Sequence, residues 1–338
     1  MVSSSIKNGL PKASDRPFRV LSIDGGGVRG LIPLTILAEI ERITGKHTSE
    51  LFDLIVGNST GGIISLCLVA PDEQNNPKYT AEQARQLYLQ GTPKIFQKSF
   101  LHSLATGGGL WAPKYNRANL DGVLTQFFGD STLNQATAPV VVTSYNLTQD
   151  VPSLWSSYRA KKDPNANISM KDAAGATSAA PTYFAPKTLR LPGGKITNEV
   201  DGGIYVNDPE VLAVTEAMAQ NPKLQPDQIF VLSLGTGQPK LKPQSQKLRD
   251  KGIIGWLMQV NLIDLMINAE TQIGDVEVEA FSLLYRYRIQ LNLAAQNSAM
   301  DDVQPQNLQA LIHAAEDYIQ KSSTEMIQIS RFLAENRF

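Results

Sequence analysis

Residues 51–70 read LFDLIVGNSTGGIISLCLVA. An apolar run, Leu51–Val56, stops at a glycine-bounded turn, and a second apolar run, Gly62–Ala70, is long enough for a helix. The pattern is strand, tight turn, helix. The same punctuation occurs upstream. Phe18–Ile23 (FRVLSI) is an apolar strand, Asp24–Gly30 (DGGGVRG) a glycine turn, and Leu31–Thr44 carries Ile32, Ile36, Ile40 and Ile43 at helical spacing, with Gly45 placed to end it. Two such units in succession predict an α/β fold with a mainly parallel sheet, because a strand followed by a crossover helix returns parallel to itself. Val140–Tyr145 and Ile229–Leu234 add buried strands, the latter running into Gly235-Thr236-Gly237. Tyr285–Leu291 alternates apolar residues with Arg286, Arg288 and Gln290, which predicts a half-exposed strand near a sheet edge. Thr80 and Gln83 stand at capping-box spacing and open a helix that Gly91 and Pro93 are expected to end.

The composition fits a packed protein: 338 residues, 42% apolar and 19% charged. With no internal repeat or linker, one domain over residues 17–338 is expected behind a polar leader, 1–16. A formal charge of −1 gives no basic field, so nucleic acid is not an expected partner. One cysteine, Cys67, excludes an internal disulfide framework and reads as a buried, inert thiol. Three histidines and the lack of a D-x-D-x-D-G calcium loop leave no expected metal or cofactor. Residues 1–16 lack the apolar core of a signal peptide, and no uninterrupted apolar stretch approaches the length of a membrane span. A cytoplasmic location is the default expectation, with secretion without a cleaved signal left open and any membrane contact peripheral.

Gly57-Asn58-Ser59-Thr60-Gly61 is a G-x-S-x-G pattern between a strand and a helix. A sharp turn there exposes Ser59 at the sheet edge, and Gly57 and Gly61 avoid collisions where the chain reverses. A serine hydroxyl needs a base to become a nucleophile. His313 lies late in the chain, but within LQALIHAAEDY (308–318), which has helical periodicity; surface roles suit His47 and His102. Gly25, Gly27 and Gly30 formally match a dinucleotide fingerprint, yet the second strand ends without the acidic residue that such a site wants. The same glycine N–H groups, at a helix N-terminus, could instead form an oxyanion hole, with Arg29 adding positive charge. Asp201-Gly202-Gly203 is ordinary turn chemistry taken alone, but its carboxylate is a candidate base if burial raises its proton affinity.

Together DGGGVRG (24–30), GNSTG (57–61) and DGG (201–203) resemble the patatin-like phospholipases. PKYN (113–116), AAGATSAAPTYF (173–184), YVNDPEVLA (205–213), LGTG (234–237) and MDD (300–302) extend the resemblance in the expected order over roughly residues 17–320. It implies a three-layer α/β/α fold and a lipid acyl hydrolase of phospholipase A or lysophospholipase type, working through an acyl-enzyme. By motif position Ser59 would be the nucleophile and Asp201 the base. Gly25, Gly26 and Gly27 would supply oxyanion N–H groups, and Arg29 would support their loop. Asp208 replaces the asparagine often seen before this proline, which bears on local turn packing. The implied partner is a phospholipid or other acyl lipid; an activating protein or ligand, needed by an otherwise silent enzyme, is the alternative. Gly255–Ala269, read as core before interfacial, and Leu104–Tyr115 are the candidate lipid-contact segments.

Overall fold

β1 (Phe18–Ile23) faces two cores at once: Leu21 and Ile23 belong to the larger, Val20 to the smaller on the opposite face. A strand covered on both faces must be apolar along its whole length, which is why FRVLSI shows no polar alternation. The computed structural model describes residues 16–97, 112–239 and 262–335. The remaining strands are β2 (Leu54–Asn58), β3 (Val140–Asn146), β4 (Val151–Ser156), β5 (Lys187–Arg190), β6 (Ile196–Asp201), β7 (Ile229–Leu234), β8 (Gln238–Pro239), β9 (Tyr285–Ile289) and β10 (Asn292–Leu293). The helices are α1 (Leu31–Thr44), α2 (Thr48–Leu51), α3 (Thr60–Val69), α4 (Ala81–Ile95), α5 (Arg117–Phe128), α6 (Ser157–Lys162), α7 (Met170–Thr177), α8 (Glu210–Gln220), α9 (Leu262–Glu279), α10 (Pro305–Lys321) and α11 (Ser323–Ala334).

The main sheet runs β5-β6-β3-β2-β1-β7-β9, with β4 also on β3. Strands β3, β2, β1, β7 and β9 are mutually parallel; β4, β5 and β6 pair antiparallel. The larger core draws side chains from α1, α3, α4, α5, α7, α10 and α11, the smaller from α8 and α9, which gives three layers. All ten residues of α3 are buried, so its sequence shows no amphipathic stripe. Cys67 on it is buried, and burial pushes its thiol up to about 12, which keeps it inert at neutral pH.

Several expectations need correction. Thr48–Leu51 forms a helical turn, and the second strand starts at Leu54 and runs through Gly57 and Asn58. α4 continues past Gly91 and Pro93 to Ile95: a Cβ on Gly91 would sit 2.9 Å from Val123, so α4 lies tight on α5, and this packing holds the last turn. Arg286 and Arg288 do not face solvent although β9 is the edge strand; both enter a buried carboxylate cluster. Tyr115 is buried among Phe96, Tyr183 and Phe184 and donates to Asp301. Residues 104–111 and 255–261 of the two lipid-contact segments, His102 and the leader up to residue 15 lie outside the described residues, while Arg16 pairs with Asp53. Leu265 and Ala269 are exposed, against the core reading of their segment.

Candidate active site

The site begins with the edge of β3. β4 covers one edge, pairing Val141–Asn146. The other edge is shared: β2 pairs parallel up to Asn58↔Thr143, and β6 pairs antiparallel down to Asp201↔Ser144. Strands β2 and β6 therefore run at each other along one edge of β3, and their C-terminal residues meet. That head-on meeting brings Ser59 and Asp201 together across 142 positions of sequence.

At the end of β2 the backbone turns sharply into α3. Ser59 has φ 53 and ψ −122, a conformation that costs a non-glycine residue about 1–3 kcal/mol. Its N–H donates to Thr177 Oγ1 at 2.9 Å, which braces the turn against the end of α7. Gly57 and Gly61 serve close approach: a Cβ on Gly57 would lie 2.2 Å from Gly61 O, and one on Gly61 would lie 2.1 Å from Ile23 O. Between residues 54 and 70 every residue is buried except Ser59.

Asp201 is 4% exposed, and Gly203 N–H donates to its Oδ1 at 2.8 Å. Burial pushes its carboxyl up to about 6; the Ser59 hydroxyl, the Gly203 N–H and, more weakly, the Asn58 amide favour the charged form. Asn58 is held by its other side, Thr143 Oγ1 donating to Asn58 Oδ1 at 2.7 Å, and its Nδ2 closes no full hydrogen bond among the described residues.

The glycine loop lies against this pair, with a Cβ on Gly25 falling 3.2 Å from Ser59 Cβ. Its N–H groups can be accounted for one by one. Asp24 donates to Leu234 O, Gly25 to Asn207 O, Val28 to Met300 O and Arg29 to Gly26 O. Gly26 and Gly27 have no carbonyl acceptor among the described residues. Gly25 is thus removed from the expected oxyanion set, its N–H being committed at 3.0 Å to Asn207. Arg29 sits against the same loop. Its Nε donates to Gly26 O and its Nη1 to Ser298 O, so it grips the loop. Because C=O and the following N–H point opposite ways in a trans peptide, holding Gly26 O aims the Gly27 N–H away from Arg29. Gly27 O is held in turn by Thr60 Oγ1 and Tyr88 OH.

Sequence reasoning missed Thr177, Asn207, Thr236, Tyr88, Glu270 and Arg288, whose roles arise only from contacts between distant elements. Glu270 on α9 accepts from Asn207 N–H and Asp208 N–H at 3.0 Å each, and burial pushes its carboxyl to about 7. Arg288 binds Asp24 through both terminal nitrogens (2.8 and 2.7 Å) and reaches Asp208 at 2.9 Å. Burial alone would lower its pKa, but Asp208 and Asp24 more than offset this and hold it charged. Asp208 is therefore a partner in a buried ion cluster, beyond local turn packing. Asp208, Glu210 and Asp275 could approach one cation, but each is already paired with Arg286 or Arg288. Arg288→Met should leave Asp24 and Asp208 buried without a counter-charge and cost about 3–5 kcal/mol in urea unfolding; a loss under about 1 kcal/mol would refute that role. His313 is exposed on α10 beside Gln309, and His47 precedes α2; neither has a contact with Ser59 among the described residues.

Fold and site together define a three-layer α/β/α protein with a strained, accessible serine between a central strand and a buried helix. The profile of the patatin-like phospholipase family matches residues 21–214. Patatin-like protein 2 of Arabidopsis thaliana is 31% identical over 89% of this chain and 83% of its own length. Patatin-T5 of Solanum tuberosum is 31% identical over 90% and 84%, and probable inactive patatin-3-Kuras 1 of the same plant 30% over 90% and 87%. The chain belongs to the patatin-like phospholipase family, and with it to the lipid acyl hydrolases. No helix among the described residues is long and apolar enough to cross a membrane.

Proposed function

We propose that the chain cleaves fatty-acyl esters of phospholipids or lysophospholipids through Ser59 as nucleophile and Asp201 as base. The observation that supports this reading is the meeting, at the one accessible residue of a buried stretch, of a hydroxyl and a carboxyl of raised proton affinity, beside a glycine loop in which two backbone N–H groups have no acceptor among the described residues. Ser59 Oγ attacks the ester carbonyl while its proton passes to Asp201. The Gly26 and Gly27 N–H groups receive the charge that develops on the carbonyl oxygen. The tetrahedral centre collapses, the alcohol leaves with the proton from Asp201, and Ser59 is left acylated. Asp201 then takes a proton from water, whose attack releases the fatty acid and restores Ser59.

Apolar side chains stand exposed just after Asp201 and on the helix that carries Glu270. Ile204 follows the DGG turn, and Leu265, Ile273 and Val276 lie on one side of α9 at helical spacing. They offer a peripheral contact for a lipid surface.

A fluorophosphonate probe tests the reading. Mass spectrometry should find the adduct on the peptide containing Ser59. The labelling rate should rise as pH passes upward through about 6 and then level off, because Asp201 accepts a proton only when ionised. Fatty acid should appear from phosphatidylcholine vesicles with the same dependence. An adduct elsewhere, or a rate flat between about pH 5 and pH 8, would overturn the assignment.

A further inference from the structure

We propose that Thr236 is a positioning residue for the Gly26 amide, acting through the carbonyl of Gly25; the inference rests on Gly26 and Gly27 serving as the oxyanion donors. The parallel ladder of β1 and β7 ends with Ile23 opposite Leu234. Two residues beyond that pair, on either side, stand Gly25 and Thr236. Thr236 is 2% exposed, and its Oγ1 donates to Gly25 O at 2.6 Å. The Gly25–Gly26 peptide is planar and trans, so fixing its C=O fixes the opposite direction of the Gly26 N–H. That N–H is one of the two with no acceptor in the loop.

Contact reinforces the hydrogen bond. A Cβ on Gly26 would fall 2.1 Å from Thr236 Oγ1 and 2.6 Å from its Cβ, so the threonine lies flat against the Gly26 backbone and limits its rocking. The turn that presents Thr236 is itself held. Gly235 N–H donates to Ile289 O at 2.8 Å, and Gly237, at φ 82, donates to Gln290 Oε1 at 2.7 Å. Gly235 has no room for a side chain, since its Cβ would lie 2.3 Å from Gln290 Oε1. Thr236 thus completes a set in which the carbonyls of the three successive glycines are each gripped by a side chain: Gly25 by Thr236, Gly26 by Arg29, Gly27 by Thr60 and Tyr88. A carbonyl gripped on one side leaves the next N–H aimed at the other.

The test compares wild type, Ser59→Ala, Thr236→Val, Thr236→Ser and Thr236→Ala on a soluble p-nitrophenyl acyl ester. Deleting an oxyanion donor costs about 10²–10³-fold in kcat, and a donor left in place but poorly aimed should cost less, about 10- to 100-fold for Thr236→Val. KM should stay within about twofold, because the amide acts chiefly on the transition state. Thr236→Ser keeps the hydroxyl and should recover kcat to within about threefold of wild type. Binding of a trifluoromethyl ketone, which forms a tetrahedral adduct, should weaken in step with kcat/KM across the series, while binding of the fatty-acid product should not. Kcat for Thr236→Val within about threefold of wild type, or Thr236→Ser as slow as Thr236→Val, would overturn the proposal. If Thr236→Val does not fold, Thr236→Ala takes its place, and equal rates for Ala and Ser overturn it. Hydrolysis undiminished in Ser59→Ala would instead bring down the underlying reading, and this inference with it, in an arm of its own.

Discussion

Ser59→Ala and Asp201→Asn should each lower kcat/KM for an acyl ester by about 10⁴-fold or more, and the double variant should be no slower than the worse of the two. The reason for non-additivity is mechanical: a hydroxyl without a base and a base without a hydroxyl each leave only the backbone donors and substrate binding. Asp201→Asn is the more informative. The amide keeps an oxygen for the Gly203 N–H and fills the same space, so the turn persists while proton acceptance is lost. It should also be no less stable than wild type. Raising a carboxyl from 3.8 to about 6 by burial means that the ionised native state carries a cost of about 3 kcal/mol. The sign follows from linkage: the folded carboxyl binds its proton more tightly than the unfolded one. Relative stability is therefore greatest below the unfolded value and declines as pH rises toward about 6, above which the full cost is present. Urea midpoints should show Asp201→Asn gaining on wild type between about pH 4 and pH 7. Either single variant with more than about 1% of wild-type kcat/KM, or an Asp201→Asn that loses stability relative to wild type as pH rises, would contradict the assignment.

Much of this frame was legible in the chain, for a physical reason. β1, α1 and β7 occur at the residues expected, because a strand covered on both faces and a helix with a left-handed glycine at its end leave local signatures. The Ser59 turn was readable because its glycines are forced by backbone contact within a short loop. Asp201 stands out in the sequence only for want of a convincing histidine, and it takes the family resemblance to single it out, since nothing local to Asp-Gly-Gly announces a base. Its burial depends on β6 meeting β2 on β3, a fact of register. Arg286 and Arg288 show the same limit from the other side. Their alternation along β9 fits a solvated edge, yet Asp24, Asp208, Glu210 and Asp275, scattered over 252 positions, converge to hold them inside. Gly25 shows it too: three glycines in a row look equivalent until Asn207 takes the N–H of the first.

That difference among glycines yields the second large effect. Gly27→Ala should reduce kcat by about 10²–10³-fold, the cost of losing an oxyanion donor. Two strains act there. Gly27 has φ 60, in the left-handed region that glycine occupies without penalty. Its added Cβ would lie 2.0 Å from Met300 O and 2.9 Å from Met300 C, both backbone atoms that no side-chain rotation can move. The loop must shift, and Met300 O is also the acceptor that anchors Val28 N–H at 2.8 Å, so the first turn after Gly27 shifts with it. Left-handed strain alone cannot produce this. Gly45 has φ 68 but open space where its Cβ would go, so Gly45→Ala carries the conformational penalty without a collision. Gly45→Ala should lose about 1 kcal/mol of stability and keep its kcat, while Gly27→Ala loses kcat far beyond what its unfolding free energy explains. Measuring kcat and urea midpoint for both separates strain from aim. A Gly27→Ala enzyme within about threefold of wild-type kcat would mean that the Gly27 amide is not among the groups that meet the reacting oxygen.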